Sequence, residues 1–209
     1  MLRELAGLQA AIFDSNVTAV SLYTGDINLA DRHGHTPLRM ALMPMRAGCT
    51  LQHRLAVLDA LSKKANFHVD EPSVYFTALT WAAHDDRLDV SVLRWLIETG
   101  GADVNGADEL GSFAIHRAVE SGVKSDDTRK IEYLLSLEHL DARVRDGAGC
   151  TAFDIALRYE KTWGPAFRDL SETLESRVRV RCLAAGGVVL RGNASVCVRV
   201  CACACVCRR

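Results

Sequence analysis

Hydrophobic residues recur along this chain at helical spacing, in stretches that polar turns separate. Two such stripes are Val90, Leu93, Leu96 and Ile97 within 88–100, and Ile131, Leu134, Leu135 and Leu137 within 128–140. Similar stretches occupy 51–64 and roughly 167–178, and the N-terminal segments 4–13 and 16–23 predict one more helix pair. The pattern therefore predicts an all-α protein built from consecutive helix pairs.

Four segments align as copies of one unit: residues 26–42, 67–83, 103–119 and 141–157. The anchor positions Thr36, Thr77, Phe113 and Thr151 are spaced by 41, 36 and 38 residues. An alanine stands five positions after each anchor, which lets a short helix pack closely on its neighbour. Thr36 followed by Pro37 predicts a helix start, with threonine as the N-cap and proline at the first helical position. Each unit is thus predicted to contain a turn, a short helix, a loop and a longer helix.

The turn before each short helix has its own signature. Aspartate stands five residues before the anchor and glycine two residues before it in three copies: Asp31 and Gly34, Asp108 and Gly111, Asp146 and Gly149. Aspartate bonds its own backbone in turns, and glycine accepts a positive φ. The second copy has Pro72 and Tyr75 at these positions, which predicts a distorted turn.

This pattern resembles the ankyrin repeat. Residues 33–42, HGHTPLRMAL, are similar to the family's Thr-Pro-Leu-His-x-Ala motif, and residues 98–119 are similar to the stretch that joins one repeat to the next. The resemblance covers about residues 1–160, although the spacings exceed the family's ~33 residues. It implies an all-α, ankyrin-like solenoid of stacked helix pairs with turn or hairpin tips along one edge. The expected division is a repeat domain over 1–177, with an N-terminal cap at 1–25 and repeats near 26–66, 67–102, 103–140 and 141–177.

Two departures from the family pattern carry expectations of their own. Only His116 retains the motif histidine, which in the family is usually a structural hydrogen-bonding residue; Arg39, Thr80 and Asp154 replace it in the other copies. Pro44 lies near the end of the first short helix, so residues 44–49 are predicted to form an inserted loop.

Charge and cysteine divide the chain into two unlike parts. The first 175 residues hold all 26 acidic residues and 18 of the 25 basic ones, whereas only arginines carry charge after Glu175. The acidic body is not expected to bind nucleic acid. Cys49 and Cys150 are isolated in the body, which fits a reducing compartment. We expect an intracellular protein, cytoplasmic rather than nuclear, and a monomer.

The tail at 178–209 is of low complexity, rich in Cys, Arg and Val. One interpretation is a disordered segment or an artefact of the gene end, because alternating GT and GC dinucleotides would encode its last residues. A second is S-acylation of the cysteines, which would tether the chain to a membrane. A third is binding of a soft metal by thiolates. All three stay open at the level of sequence.

No catalytic or cofactor motif stands out in the sequence. The chain has no glycine-rich phosphate loop, no HExxH, no GxSxG and no paired CxxC. His33 and His35 lack further ligands at metal spacing and are better explained as an exposed turn pair. We therefore expect no enzyme activity and no cofactor. The alternative is a composite active site in an inserted loop, at 44–50 or 121–128.

The resemblance implies a non-enzymatic module, acting as adaptor, scaffold or inhibitor, that binds an unidentified protein on its concave face and turn tips. The positions that the resemblance assigns to this surface are Arg32, His33, His35, Ser73, Val74, Phe76, His84, Asp85, Glu109, Leu110, Ser112, Glu120, Arg158 and Tyr159. Tyr75 and Phe76 fall at a turn tip. They either form exposed binding anchors or pack inward to compensate for the degenerate turn.

Overall fold

The computed structural model describes residues 2–71 and 75–160, together with Thr173, Leu174 and Ser176. The helices within these residues are α1 (Leu2–Phe13), α2 (Val17–Leu22), α3 (Pro37–Ala41), α4 (Leu51–Ser62), α5 (Ala78–His84), α6 (Val90–Glu98), α7 (Ala114–Ser125), α8 (Arg129–Ser136) and α9 (Ala152–Glu160). An isolated antiparallel bridge joins Ala107 to Phe113, and no strand lies in the described part of the chain. The predicted helical repeat fold is confirmed.

The helices stack in two layers. In the inner layer α1 packs on α3, α5 on α7 and α7 on α9, while in the outer layer α2 packs on α4 and α6 on α8. Between the layers runs one hydrophobic core, whose fully buried members include Ile12, Leu58, Leu79, Leu93, Ile115 and Leu134. Each pair therefore buries its apolar stripe against its neighbours, as expected for stacked repeats.

The anchor threonines begin three of the short helices. Each hydroxyl accepts a hydrogen bond from the N–H three residues on: Thr36 from Arg39 at 3.3 Å, Thr77 from Thr80 at 3.2 Å, and Thr151 from Asp154 at 3.1 Å. Phe113 cannot do this, and its own N–H instead donates to His116 Nδ1 at 3.3 Å. The N-cap predicted at Thr36 is confirmed, and Thr77 and Thr151 make the same bond.

The Asp-x-x-Gly turns form as the sequence predicts. Asp31 Oδ1 accepts the N–H groups of His33 and His35 at 2.7 and 2.9 Å. Asp108 and Asp146 make the same pair of bonds in their own turns. The turn glycines have φ values of 80° at Gly34, 70° at Gly111 and 78° at Gly149. Glycine reaches this left-handed region without steric cost.

The second turn reaches the same conformation without glycine. Tyr75 has φ 70°, as Gly111 does at the corresponding position of the third turn. For a residue with a side chain this conformation costs roughly 1–2 kcal/mol. Pro72, Ser73 and Val74 lie outside the described residues, so the predicted distortion can be followed only at Tyr75.

Side chains also join successive loops. Asn28 accepts the N–H of His68 at 3.2 Å, Asp70 that of Asp103 at 3.2 Å, and Asn105 that of Asp141 at 2.8 Å. The asparagines donate as well, Asn28 to the Asn66 carbonyl and Asn105 to the His139 carbonyl. Asp70 occupies the position in its loop that Asn28 and Asn105 occupy in theirs, but a carboxylate has no N–H to donate.

One predicted loop is wrong and another is confirmed. The segment 121–128 was expected to be a loop, but α7 continues through Ser125 and ends at Asp126, which has φ 55°. Gly122 lies within this extension, and a Cβ there would lie 2.9 Å from Ile131 Cδ1, so glycine at this position allows α8 to approach α7 closely. Residues between Ala41 and Leu51 contain no α-helix, as predicted for the insertion at 44–49.

Some predictions fall beyond the described residues. Apart from Thr173, Leu174 and Ser176, the long helix expected at 167–178 lies outside them, and so does the tail at 178–209 with its three interpretations. Among the helices that the structure does describe, none has the length and apolar character needed to cross a membrane.

Candidate functional site

Two large apolar side chains are exposed on adjacent turn tips. Tyr75 is 57% exposed and Leu110 is 51% exposed. The Glu109 N–H donates to the Tyr75 carbonyl oxygen at 3.2 Å, so the second and third tips are in direct contact. We call Tyr75 and Leu110 the tip patch. Leu22, 74% exposed, is another large apolar side chain in the described part of the chain that faces solvent.

The third tip is held rigidly beneath Leu110. Asp108 Oδ1 accepts the Leu110 N–H at 2.9 Å, and Arg117 Nη2 lies 3.1 Å from the other oxygen of the same buried carboxylate. Gly111 follows in a tight site, because a Cβ on it would lie 3.0 Å from the Gly147 Cα of the fourth turn. The exposure of Leu110 is thus fixed by the turn, since its backbone has no freedom to turn the side chain inward.

Phe76 and Tyr75 point in different directions. The Phe76 ring packs edge-on against Trp81, with centroids 5.5 Å apart, and stacks on His84 at 6.2 Å. The guanidinium of Arg117 lies 5.0 Å from the Phe76 centroid. Of the two interpretations of this pair, inward packing therefore describes Phe76 and exposure describes Tyr75.

An open cavity of about 260 Å³ lies on the inner layer beside the end of α5. Its lining comes from the end of α5, the residues after it and α7: Trp81, His84, Asp85, Asp86, Arg87, Ser121 and Lys124. We call it the α5–α7 groove. Two of the predicted surface residues, His84 and Asp85, line this groove. The groove is close to the tip patch, because Phe76 stacks on His84 and follows Tyr75 directly in the chain.

Asp85 lines the groove but is already paired. Its two carboxylate oxygens accept bonds from Arg87 Nε and Nη2 at 2.8 and 2.7 Å. Burial alone raises the pKa of Asp85, but the Arg87 bonds outweigh it and hold the pKa below its ordinary value. The carboxylate is therefore ionised and neutralised by Arg87.

His84 is held neutral at the groove. Burial lowers the pKa of its imidazole, and the positive charges of Lys124 and Arg117 lower it further against the opposing charges of Glu120 and Asp85. Its Nδ1 is covered and has no hydrogen-bond partner. The Nδ1 atom of His84 can donate a hydrogen bond to a ligand when it carries a proton, either in the Nδ1-protonated tautomer or in the charged ring.

Arg39 lies beneath Trp81. Its guanidinium carbon is 3.2 Å from the Trp81 ring centroid, in a cation–π contact between the first and second repeats. Burial lowers the pKa of Arg39 to about 10, so the side chain keeps its charge at neutral pH. Its Nε and Nη1 have no hydrogen-bond partner, and neither has the neighbouring Trp81 Nε1.

The predicted residues of the first turn lie together. Arg32 and His33 are exposed, and Arg32 Nε lies 3.1 Å from His33 Nε2. His35 is half-buried, with Nδ1 3.9 Å from Asp31 Oδ2, and the two histidine rings are 6.2 Å apart.

The remaining predicted residues are spread over the other turns. Glu109 is exposed, Ser112 is half-buried, and Glu120 accepts from Arg117 Nη1 at 3.2 Å. Near the end of α9, Arg158 donates to the Cys150 sulfur at 3.3 Å and Tyr159 is half-buried. Ser73 and Val74 lie outside the described residues. The structure therefore brings Phe76, His84 and Asp85 together in one site. The predicted residues of the first repeat (Arg32, His33 and His35) and of the fourth (Arg158 and Tyr159) lie elsewhere.

Sequence reasoning missed three contributors to this site. Arg39 was noted only as a replacement for the motif histidine, and Trp81 and Lys124 were not assigned to the surface at all. The signal for Arg39 was available, because a cation stands at the repeat position that His116 occupies in the third copy and that the resemblance gives to a structural hydrogen-bonding residue. Lys124 had no local signal, because its proximity to His84 depends on the packing of α7 against α5.

Neither of the two body cysteines lines the α5–α7 groove, and the described residues hold no cluster of metal ligands. Across residues 2–71 and 75–160 no three His, Cys, Asp or Glu side chains lie together as a metal site would require. Cys49 and Cys150 are free thiols, and Cys49 Sγ lies 3.1 Å from Ser15 Oγ. Besides the contact of its sulfur with Arg158, Cys150 has a structural role, because its carbonyl oxygen lies 3.1 Å from His116 Nε2.

Comparison with known families agrees with this architecture. Residues 74–106 match the sequence model of a family described as ankyrin repeat. This segment starts at the second turn and contains α5 and α6. The chain is a helical repeat protein, and the predicted ankyrin resemblance is confirmed. Ankyrin repeats are generally protein–protein interaction modules and are typically non-enzymatic. No curated protein matches the chain.

Proposed function

We propose that this chain is a non-enzymatic interaction module, an adaptor, scaffold or inhibitor inside the cell, that binds a protein partner through the tip patch. The observation that carries the proposal is the exposure of Tyr75 and Leu110 on touching tips. Aromatic anchors flanked by polar groups are the usual centres of protein interfaces. Tyr75 also stands at φ 70°, where glycine stands in the other turns. A strained and exposed aromatic residue is expected where function compensates for the strain.

The proposal is tested by affinity purification with mass spectrometry on the full chain. The double variant Tyr75→Ser with Leu110→Ser removes the tip patch, and serine tolerates both turns because neither side chain is buried. Leu22→Ser is the control, since it removes a more exposed apolar side chain at the end of α2, away from the tip patch. We expect partners to be lost from the double variant and retained by the control. Equal recovery from both variants would remove the tip patch as the binding surface.

The composite active site is the second candidate, and one observation bears on it. Ser121 lines the groove with His84 and Asp85, and the pKa values of the latter two are shifted. Nucleophilic catalysis needs a base within hydrogen-bond reach of the nucleophile and a third group that orients the base. In the described residues His84 Nδ1 has no partner and the Asp85 carboxylate is held by Arg87. The groove therefore favours binding over catalysis.

A further inference from the structure

Four buried side-chain nitrogens in the described part of the chain lack a hydrogen-bond partner, and all lie in one cluster: Arg39 Nε, Arg39 Nη1, Trp81 Nε1 and His84 Nδ1. Arg39 stacks on Trp81, whose ring centroid is 6.4 Å from that of His84. The arginine and tryptophan nitrogens can only donate. Because a buried donor without an acceptor costs roughly 1–3 kcal/mol, the cluster favours an acceptor supplied from outside the chain.

The charge around the cluster selects a negative acceptor. Arg39 is 5% exposed, and no carboxylate of the described residues lies within ion-pair distance of it. Lys124, on the α7 side of the groove, makes no ion pair with a described residue either. Other described cations, such as Lys63, also make no ion pair, but Lys124 lines the groove and Arg39 lies directly beneath its Trp81 wall. A carboxylate in the groove would supply an acceptor beside Trp81 and His84. It would also bring a negative charge close to Lys124 and to Arg39, which lies beneath Trp81 outside the groove lining.

The size and rim of the groove narrow the ligand further. Its volume of about 260 Å³ is below the ~300–1,000 Å³ of small-molecule sites, and it suits one protruding side chain. Asp86 is exposed at the rim, and its negative charge repels a ligand with several negative charges more strongly than a ligand with one. A single carboxylate satisfies both limits.

We propose that the α5–α7 groove binds an aspartate or glutamate side chain of the protein partner, while the tip patch binds an apolar side chain of the same segment. This inference rests on the proposed function and adds the chemistry of the partner to it. Phe76 connects the two subsites, since its ring stacks on His84 and its chain neighbour is Tyr75. The recognised segment therefore carries an acidic and an apolar residue close together.

The probe is a library of random dodecapeptides displayed on phage and selected on the full chain. We expect the enriched sequences to share an aspartate or glutamate next to a large apolar residue. Synthetic copies of these peptides are then compared with matched copies in which the acid is replaced by asparagine or glutamine. Loss of the charge removes the attraction to Lys124 and to Arg39 beneath Trp81, and we expect binding to weaken by about tenfold or more.

Variants of the chain test the groove from the other side. Lys124→Glu reverses an exposed charge on the groove, and we expect about tenfold weaker binding of the acidic peptides. Lys63→Glu makes the same charge change at the exposed C-cap of α4, outside the groove, and should leave binding unchanged. Trp81→Phe removes one of the unpartnered N–H groups while keeping a ring for Phe76 to pack on, and should weaken binding by about threefold to tenfold.

The outcomes separate this inference from the proposed function. Equal binding of acid and amide peptides, or equal effects of Lys124→Glu and Lys63→Glu, would overturn the acidic groove. If the acidic groove is overturned but binding still depends on Tyr75 and Leu110, the proposed function stands without the acidic groove. Binding that depends on Lys124 but not on the tip patch would remove the tip patch instead. A library that yields no binder contradicts both.

Discussion

His116 Nε2 lies 3.1 Å from the carbonyl oxygen of Cys150, joining the third short helix to the fourth turn. The other ring nitrogen, Nδ1, accepts the N–H of Phe113 at 3.3 Å, so the proton of the neutral ring is on Nε2 and donates to Cys150. One fully buried side chain thus begins α7 and binds the next repeat. This is the structural role that the ankyrin resemblance implied for the motif histidine.

Replacement of His116 should destabilise the fold. His116→Ala leaves the Phe113 N–H without its acceptor and opens a cavity. It also removes the inter-repeat bond to the Cys150 carbonyl, which keeps only the Asp146 N–H of its own turn. We expect a loss of about 2–4 kcal/mol in the free energy of unfolding. The measurement is urea denaturation of the full chain. His53→Ala is a useful comparison: His53 makes the same capping bond to Thr50 but is exposed, so its loss should cost under about 1 kcal/mol. Similar costs at the two positions would refute the assignment of the inter-repeat bond.

Stability should also depend on pH through His116. Burial lowers the pKa of its imidazole below the unfolded value of about 6.5. The unfolded chain then binds more protons, so stability is full above about pH 6.5 and falls as the pH decreases towards the folded pKa. His84 acts in the same direction. The difference in the free energy of unfolding between pH values above and below this range should be smaller in His116→Gln than in wild type. It should be smaller again in the double variant with His84→Gln.

Local signals predicted more of this structure than distant ones did. The Asp-Gly turns and the N-cap at Thr36 depend on residues a few positions apart, and they form as predicted. The loop expected at 121–128 is wrong in its first part, where α7 continues through Ser125. Gly122 in this part packs against Ile131 of α8, and this contact could not be read from the sequence around Gly122.

The candidate site shows the same limit. Sequence placed Tyr75 and Phe76 at one tip but could not say which ring faces solvent, because that depends on Trp81 and His84 packing behind Phe76. The contact of Arg39 with Trp81 joins two repeats, and no spacing within one repeat encodes it.

Asp70→Asn should stabilise the fold. Partial desolvation of the Asp70 carboxyl raises its pKa, and the charge of Asp103 adds to this, although the Asp103 N–H opposes it. Asparagine keeps an acceptor for that N–H and adds a donor of the kind that Asn105 uses towards the His139 carbonyl. We expect a gain of about 0.5–1 kcal/mol near neutral pH.

The gain from Asp70→Asn should shrink in acid. A folded pKa above the unfolded value means that the wild-type chain loses stability as the pH rises from about 4 through the folded pKa. The difference between variant and wild type should therefore be larger at neutral pH than below pH 4, when both are unfolded in urea. An equal gain at both pH values would show that Asp70 is not desolvated.

Replacement by phenylalanine should destabilise the fold more at Trp95 than at Trp81. Trp95 Nε1 donates to Asp59 Oδ1 at 2.6 Å, joining α6 to α4, whereas Trp81 Nε1 has no partner. We expect Trp95→Phe to cost about 1–2 kcal/mol in the free energy of unfolding, since it breaks a bond to a charged group. Trp81→Phe removes an unpaired donor and should cost less than this or stabilise the chain. A larger cost at Trp81 than at Trp95 would contradict the unpartnered state of its indole.

Tyr75→Gly should separate stability from binding. Glycine adopts φ 70° without the roughly 1–2 kcal/mol that a side chain costs there, and its greater freedom in the unfolded chain offsets part of the gain. We expect a net stabilisation of up to about 1 kcal/mol together with weaker partner binding, because the exposed ring is lost. Tyr75→Phe keeps the ring and the strain, so both stability and binding should stay near wild type. If Tyr75→Gly binds as tightly as wild type, the ring is not an anchor; if it is less stable, the ring packs on the fold rather than projecting from it.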